Sequence, residues 1–388
     1  MNSNIDFLIV GAGLYGATIA RLLTDAGFNC LIIDKRNHIA GNIYTERVYG
    51  YDKHVYGAHV FHTDKPEVEN FVKKYSKWKY YSHNAIATDG NKIYHLPFNM
   101  NTYYDIFGCV NVEDAKRIIE NEINEYREQK LKESNNATIS INNLEEYALL
   151  NVGKSIYEKL IKHYTAKQWG KKCSELSQDV IKRLPLRYSF NNNYYNDNDY
   201  FQAIPIDGYT EFVKNIIGNI PCLLNWNFNY NEWHNRCKCI IYCGAVDELL
   251  NYELGELEWR SLRFENKEYV YNGYNGQGTS VMNDVSENPY TRCVEHMWFT
   301  PDKVKINNIS ILTYEYPDKW ERGKERYYVV NNANTEVLYN AYVDLLLQKM
   351  PEVELGGRLG KYKYFDMDDT IYEAMKDAEK LIQIHRNN

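Results

Sequence analysis

Apolar and polar positions alternate along this chain in blocks that change period several times. A short apolar run at residues 7–10 breaks into glycines at residues 11–16; helical periodicity follows, then a second apolar run at residues 30–33. Short apolar runs bounded by turn signals predict strands buried on both faces, as in a parallel sheet. Apolar residues recur at helical spacing over residues 112–129 (Ala115, Ile118, Ile119, Ile123), with Asn111 placed as the cap. Residues 144–169 predict a second helical stretch through Tyr147, Leu150, Ile156, Leu160 and Ile161. The polar segment 130–142 between them reads as a surface loop. Residues 183–207, crowded with Asn, Asp and Tyr, read as an irregular stretch facing a ligand. A β-like stretch lies at 86–96, a helix at 208–217 and a buried strand at 239–242. Short alternating runs over 255–330, such as 280–282 and 309–314, predict an antiparallel sheet. Helices are expected again at 335–348 and 369–384. The pattern is that of an α/β protein whose doubly wound domain draws on both chain ends and carries a helical and a sheet insertion.

The glycine break has chemistry in it. Gly11-Ala12-Gly13-Leu14-Tyr15-Gly16 stands between a strand and a helix, and Asp34 closes the next strand 18 residues after Gly16. This is the dinucleotide fingerprint in its full context of strand, turn, helix, strand and acid. Gly11 permits the tight turn, Gly13 lets backbone approach a pyrophosphate, and Gly16 lets the helix pack on the strand. The pyrophosphate sits at the helix N-terminus, where free N–H groups point outward. Asp34 is placed to accept hydrogen bonds from a ribose. The pattern serves NAD and FAD alike.

Composition narrows the partners. A net charge of −7 over 388 residues argues against non-specific nucleic-acid binding, so an anionic ligand needs a local basic cluster. No run approaches the ~18 uninterrupted apolar residues of a membrane span. The N-terminus enters a core strand without a basic region or cleavage site, so the expectation is a cytoplasmic protein with no signal peptide. Eight cysteines are scattered without a CxxC pair; Cys237, Cys239 and Cys243 are expected to be buried thiols and no metal site is expected. His59 and His62 flank Phe61 without a third ligand at metal spacing, which leaves packing or contact with a cofactor.

Longer motifs decide between cofactors. They are the loop from Asp34-Lys35 through Ala40-Gly41-Asn42; Tyr56-Gly57-Ala58-His59-Val60-Phe61-His62-Thr63; Tyr164-Thr165-Ala166-Lys167-Gln168-Trp169-Gly170; and Ile181-Lys182-Arg183-Leu184-Pro185-Leu186-Arg187. Pro289-Tyr290-Thr291-Arg292 with Glu295-His296 follows, then Gly357-Arg358-Leu359-Gly360 running on to Tyr364-Phe365-Asp366-Met367. In order and spacing, from about residue 5 to residue 384, the chain resembles the UDP-galactopyranose mutase family, flavoenzymes that interconvert the pyranose and furanose forms of UDP-galactose. It departs from the family at Ala40, where a glycine is usual, at Val329 after Tyr327-Tyr328, where a proline is usual, and at Gly244-Ala245-Val246-Asp247, where the second position is usually proline.

The resemblance implies a Rossmann-like FAD-binding domain (1–82, 208–248, 337–388), a helical-bundle insertion (101–182) with a mobile lid at 170–177, and an antiparallel-sheet domain (83–100, 183–207, 249–336). It implies FAD active in the reduced form, whose N5 forms an adduct with the sugar and expels UDP with no net redox change. Cofactor contacts are implied at Gly11, Gly13, Leu14, Tyr15, Asp34, Lys35, Gly41, Asn42, His59, His62, Arg358, Tyr364, Asp366 and Met367. Substrate contacts are implied at Asn84, Tyr164, Thr165, Trp169, Arg183, Tyr194, Tyr195, Asn283, Arg292, Tyr328, Tyr364 and Asp366. Tyr164 is placed against the uracil, and Trp169 on the lid. Arg183, Arg292, Tyr328, Tyr364 and His62 are implied in catalysis, the two arginines clamping the diphosphate with paired hydrogen bonds that lysine cannot match. A separate electron donor, a homodimer and a role in supplying galactofuranose for cell-surface polysaccharide complete the expectation.

Overall fold

A computed structural model describes residues 5–134, 139–182, 186–195, 198–271, 276–300 and 308–386. The two apolar runs flanking the glycines form strands Ile5–Val10 and Cys30–Ile33, paired in parallel with Phe7 opposite Cys30 and Val10 opposite Ile33. They lie in a five-stranded parallel sheet ordered Cys222–Leu223, Cys30–Ile33, Ile5–Val10, Cys237–Tyr242, Val353–Leu355. Successive side chains of a strand face opposite ways, and here both ways are buried. Phe7, Ile9 and Ile32 pack with residues of helices Leu14–Asp25, Tyr209–Ile217 and Met367–Arg386, while Leu8, Ile33 and Ile240 pack with Tyr342 and Leu346 of helix Ala333–Lys349. That double burial is why the strands read as unbroken apolar runs.

A seven-stranded sheet stands beside it, ordered Tyr328–Val329, Trp259–Val270, Ile309–Lys319, Arg292–Glu295, Val281–Asp284, Ile86–Thr88, Ile93–His95. Its pairs are antiparallel except Val281–Asp284 against Ile86–Thr88, which run parallel. The α/β class, the Rossmann-like unit and the antiparallel sheet are thus as the pattern predicts.

Three expectations are corrected. The helix expected over 112–129 runs from Val112 to Ser134, into the segment read as loop, because its polar tail is held by ion pairs such as Lys130 to Glu146 rather than by an apolar stripe. The stretch 144–169 is not one helix. It stops after Leu144–Asn151, turns at Gly153 (φ 84°), passes through a π-helical turn at Tyr157–Ile161 and resumes as Lys162–Trp169. A Cβ at Gly153 would lie 2.7 Å from Glu122 Oε2, so that carboxylate would have to move. Finally, residues 183–207 are not wholly irregular, for Phe201–Pro205 is the central strand of a small antiparallel sheet with Phe61–Thr63 and Trp78–Tyr80. Among the described residues no helix is long and apolar enough to cross a membrane.

Candidate active site

The glycine turn has the backbone geometry its residues predict. Gly11 has φ 124°, and a Cβ on Gly16 would lie 1.9 Å from Gly11 O, so strand and helix touch there. A Cβ on Gly13 meets only Gly41 Cα, at 3.8 Å. The space above Gly13 is therefore open to a ligand rather than needed by the protein. Helix Leu14–Asp25 has no side-chain cap, leaving its first N–H groups free for an anion. Leu14 and Tyr15 are buried, the Tyr15 hydroxyl donating to Asp377 Oδ2 at 2.6 Å, so toward a ligand they offer backbone. Asp34 accepts from Ala12 N (2.7 Å) and Arg36 N (2.8 Å), which fixes its carboxylate at the end of its strand with lone pairs to spare. Ala40 adopts φ 74° and donates its N–H to Ala12 O at 2.9 Å, bringing Gly41 against Gly13. Lys35 is exposed, whereas Asn42 lines the cavity described next.

That cavity, of about 1200 Å³, is bounded by the seven-stranded sheet, the helical segment, and loop and helix residues such as Asn42, His59, Arg358 and Tyr364. Its floor is a row of side chains across three strands. Asn283 pairs directly with Arg292, and Arg292 with Glu315, so the three share one face. Arg292 Nη2 donates to the Tyr164 hydroxyl at 2.8 Å, and Arg292 Nε lies 3.4 Å from Glu315 Oε2 without closing a hydrogen bond. Arg292 Nε, Glu315 Oε1 and Asn283 Oδ1 are buried and have no hydrogen-bond partner. Burial pushes the Glu315 carboxyl up, with Arg292 opposing. Unmade bonds of this kind cost about 1–3 kcal/mol each, and all three residues line the cavity.

Aromatic groups wall it. The rings of Tyr328 and Tyr364 stack at 6.2 Å, Trp169 approaches Tyr328 at 6.4 Å, and the Arg358 guanidinium lies 4.5 Å over Tyr364. Also in the lining, His62 stacks on Tyr195 at 3.8 Å, with Tyr194 edge-on to Tyr195. Thr165, Asp366 and Met367 also line the cavity, Met367 opening the helix Met367–Arg386. The two motif histidines are shifted in opposite directions. His59 Nδ1 donates to Gly57 O at 2.8 Å, and burial, with Arg358 and Arg292 nearby, draws its pKa down to about 4. Burial also opposes a proton on His62, but Asp199, Asp366 and Asp368 outweigh it and hold the imidazole above its ordinary value; its Nδ1 lies 3.3 Å from Asp199 Oδ2.

The structure therefore brings Tyr164, Thr165, Trp169, Tyr194, Tyr195, Asn283, Arg292, Tyr328, Tyr364 and Asp366 to one cavity with His59, His62, Arg358 and Met367. Asn84 is not among them: its side chain is exposed, and its neighbour His83 lines the wall instead. Arg183 lies outside the described residues. Sequence reading missed Glu315 and His83, although both stand among aromatic residues, in Tyr314-Glu315-Tyr316 and just after Tyr80-Tyr81. It also passed over Arg187, which is buried and donates to the carbonyls of Asn193 and Tyr195, fixing the loop that presents Tyr194. Arg187 had a signal, standing four residues after Arg183 in the same motif. All eight cysteines are free, and no cluster of metal-ligand side chains occurs among the described residues.

Comparison with known proteins bears on this arrangement. Residues 159–364 match the family described as UDP-galactopyranose mutase, and residues 9–75 match the NAD(P)-binding Rossmann-like domain. A Klebsiella pneumoniae protein named probable UDP-galactopyranose mutase is 35% identical over 385 residues, covering 98% of this chain and 95% of that one. An Escherichia coli dTDP-fucopyranose mutase is 34% identical over 97% of this chain and 98% of its own. The crystal structure of a reduced UDP-galactopyranose mutase superposes with a TM-score of 0.75 at 13% identity, covering 98% and 96% of the two chains; at that identity the likeness is one of fold.

Proposed function

This chain belongs to the UDP-galactopyranose mutase family, and from that premise we propose that it is an FAD-dependent mutase interconverting UDP-galactopyranose and UDP-galactofuranose. The observation that carries the reading is Arg292, a part-buried guanidinium lining a large cavity beside Asn283 and Glu315, with one nitrogen donating to Tyr164. A diphosphate supplies the acceptors this group lacks.

The residues present fit FAD. The open space over Gly13, the uncapped helix behind it and the fixed Asp34 carboxylate would hold the pyrophosphate and ribose. His59, His62, Arg358 and Met367 would surround the flavin end. When bound and reduced, the flavin would supply nucleophilic chemistry at the sugar's anomeric carbon without net oxidation. The protein's own part is binding and retention. Arg292, with Arg183 by family resemblance, clamps the leaving diphosphate, and Glu315 stands beside Arg292 to aim it. The Tyr328 hydroxyl, raised in pKa first of all by burial, remains a neutral donor, and Tyr364 stacks beside it. Tyr164 offers its ring to the base, its hydroxyl already anchored. Trp169 and residues 170–177, hinged at Gly170 (φ 65°), close over the substrate and exclude water. The same reading takes the chain to act as a cytoplasmic homodimer, served by a separate electron donor and feeding galactofuranose to cell-surface polysaccharide.

A second substrate reading follows from the relatives, since similarity to the dTDP-fucopyranose mutase nearly equals that to the Klebsiella protein. One experiment tests both. Purified protein, yellow with bound FAD, is reduced with dithionite and incubated with UDP-galactofuranose or dTDP-fucopyranose, and products are separated by chromatography. Conversion of the UDP-sugar by reduced enzyme alone is the expected result. Conversion of only the dTDP-sugar would move the assignment to that substrate. Equal activity of oxidised enzyme, or peroxide from amines without sugar turnover, would overturn the mutase reading.

A further inference from the structure

Lys167 lies in the Tyr164–Gly170 motif, yet it does not line the cavity. It sits three residues beyond Tyr164 on the helix Lys162–Trp169, which also carries Thr165 and Trp169. Its ammonium enters the turn joining strands Val281–Asp284 and Arg292–Glu295. There Nζ donates toward Asp284 O (2.9 Å), Asn288 O (2.9 Å), Tyr290 O (2.9 Å) and Asp284 Oδ1 (3.0 Å). The cage is itself fixed. The Asp284 carboxylate, 2% exposed, accepts from Ser286 N at 3.0 Å, Ser286 Oγ at 2.7 Å and Asn288 Nδ2 at 2.9 Å.

Three carbonyls and a carboxylate facing one point suit a compact cation and not a planar fork. The turn so gripped joins the two strands on which Asn283 and Arg292 stand opposite each other. On the cavity side a second link, Arg292 to Tyr164 at 2.8 Å, ties the same two elements. We infer that Lys167 is a positioning residue. Its caged ammonium sets the separation between the helix bearing Tyr164, Thr165 and Trp169 and the strands bearing Asn283 and Arg292, and with it the affinity for a nucleoside diphosphate. The inference rests on the function proposed above. It differs from a mere staple, because misplacement by about 1 Å at such a site costs up to ~100-fold, whereas a staple alters only stability.

The test uses FAD-loaded Lys167→Ala and Asp284→Asn, with UDP as the probe in calorimetric titration. Lys167→Ala is expected to keep its flavin and to bind UDP about tenfold or more weakly. Ammonium chloride, which can refill the cage, should restore much of the affinity; tetramethylammonium chloride at equal concentration should not. Should Lys167→Ala fail to fold, Asp284→Asn decides: weaker UDP binding at normal flavin content supports the inference. Wild-type affinity in a folded Lys167→Ala, a loss that ammonium leaves untouched, or wild-type affinity in Asp284→Asn would overturn it. Failure of the unaltered protein to bind UDP would overturn the mutase reading with it, whereas normal binding there confines the failure to Lys167.

Discussion

Arg292 and Gly13 show how much one position can hold. Removing the guanidinium leaves Glu315 buried without its counter-charge and takes a donor from the diphosphate, so Arg292→Ala should lower kcat/KM by about 2–5 kcal/mol of transition-state stabilisation. Arg292→Lys should recover only part, since an ammonium cannot reach both Tyr164 and a phosphate as a fork does. Flavin absorbance should be unchanged in both, and its loss would place Arg292 at the cofactor. Gly13→Val isolates the other pole. Gly13 has φ −76°, which valine adopts, and its Cβ would touch only Gly41 at 3.8 Å. The variant should therefore fold by circular dichroism and be colourless; retained FAD would mean the pyrophosphate lies elsewhere. Gly13 was legible because it sits in a motif whose chemistry is local, and Arg292 only through the family resemblance of its motif. Glu315 was not, since its partner lies 23 residues away and only strand register brings them together.

At the scale of elements, sequence pattern and structure part where backbone geometry overrides side-chain periodicity. The apolar spacing of residues 144–169 is helical on both sides of Gly153, and nothing in that spacing reveals the left-handed residue between. Gly153→Ala would impose a strained φ, costing about 1–2 kcal/mol, and would drive a Cβ to 2.7 Å from Glu122 Oε2, which also accepts Ser155 N. A loss of about 2 kcal/mol or more in unfolding free energy is expected by denaturant titration. No loss would mean the helix can run straight through. Phe201–Pro205 was hidden for a different reason. All five of its residues are buried, so it lacks the alternation that marks a half-exposed strand, and its polar neighbours masked the short run.

For the whole molecule, the buried histidines govern response to acid. His54 is held well below its ordinary pKa, His59 at about 4, His83 at about 3 and His296 at about 3, in each case first by burial. The unfolded chain takes up these protons near pH 6.5 and the folded one does not, so stability falls as pH drops below about 6.5, by about 1.4 kcal/mol per pH unit for each group. His62 works the opposite way, being raised, and favours the folded state most below about pH 6.5. Four depressed groups outweigh one, so Tm should fall steeply between about pH 6.5 and about pH 4. Replacing His83 with Gln should lessen the slope by one proton, and a level Tm across that window would refute the burial of these rings. The order of elements and the two-ended parallel sheet were readable from periodicity; this histidine network was not, because burial is a property of the assembled molecule.

The parallel sheet has a consequence for how the protein is made. Ile5–Val10 takes Cys237–Tyr242 as neighbour, that strand takes Val353–Leu355, and Tyr15 finds Asp377 362 residues later. At translation rates of 5–20 residues per second, the glycine turn waits roughly 20–70 s for its last supports to leave the ribosome. During that time an apolar strand edge stands open to other nascent chains. A fragment ending at residue 348 lacks the outer strand and the closing helix, and it should emerge flavin-free and prone to aggregate. A cofactor held at the glycine turn would on this reading be loaded only after the Met367–Arg386 helix has been made.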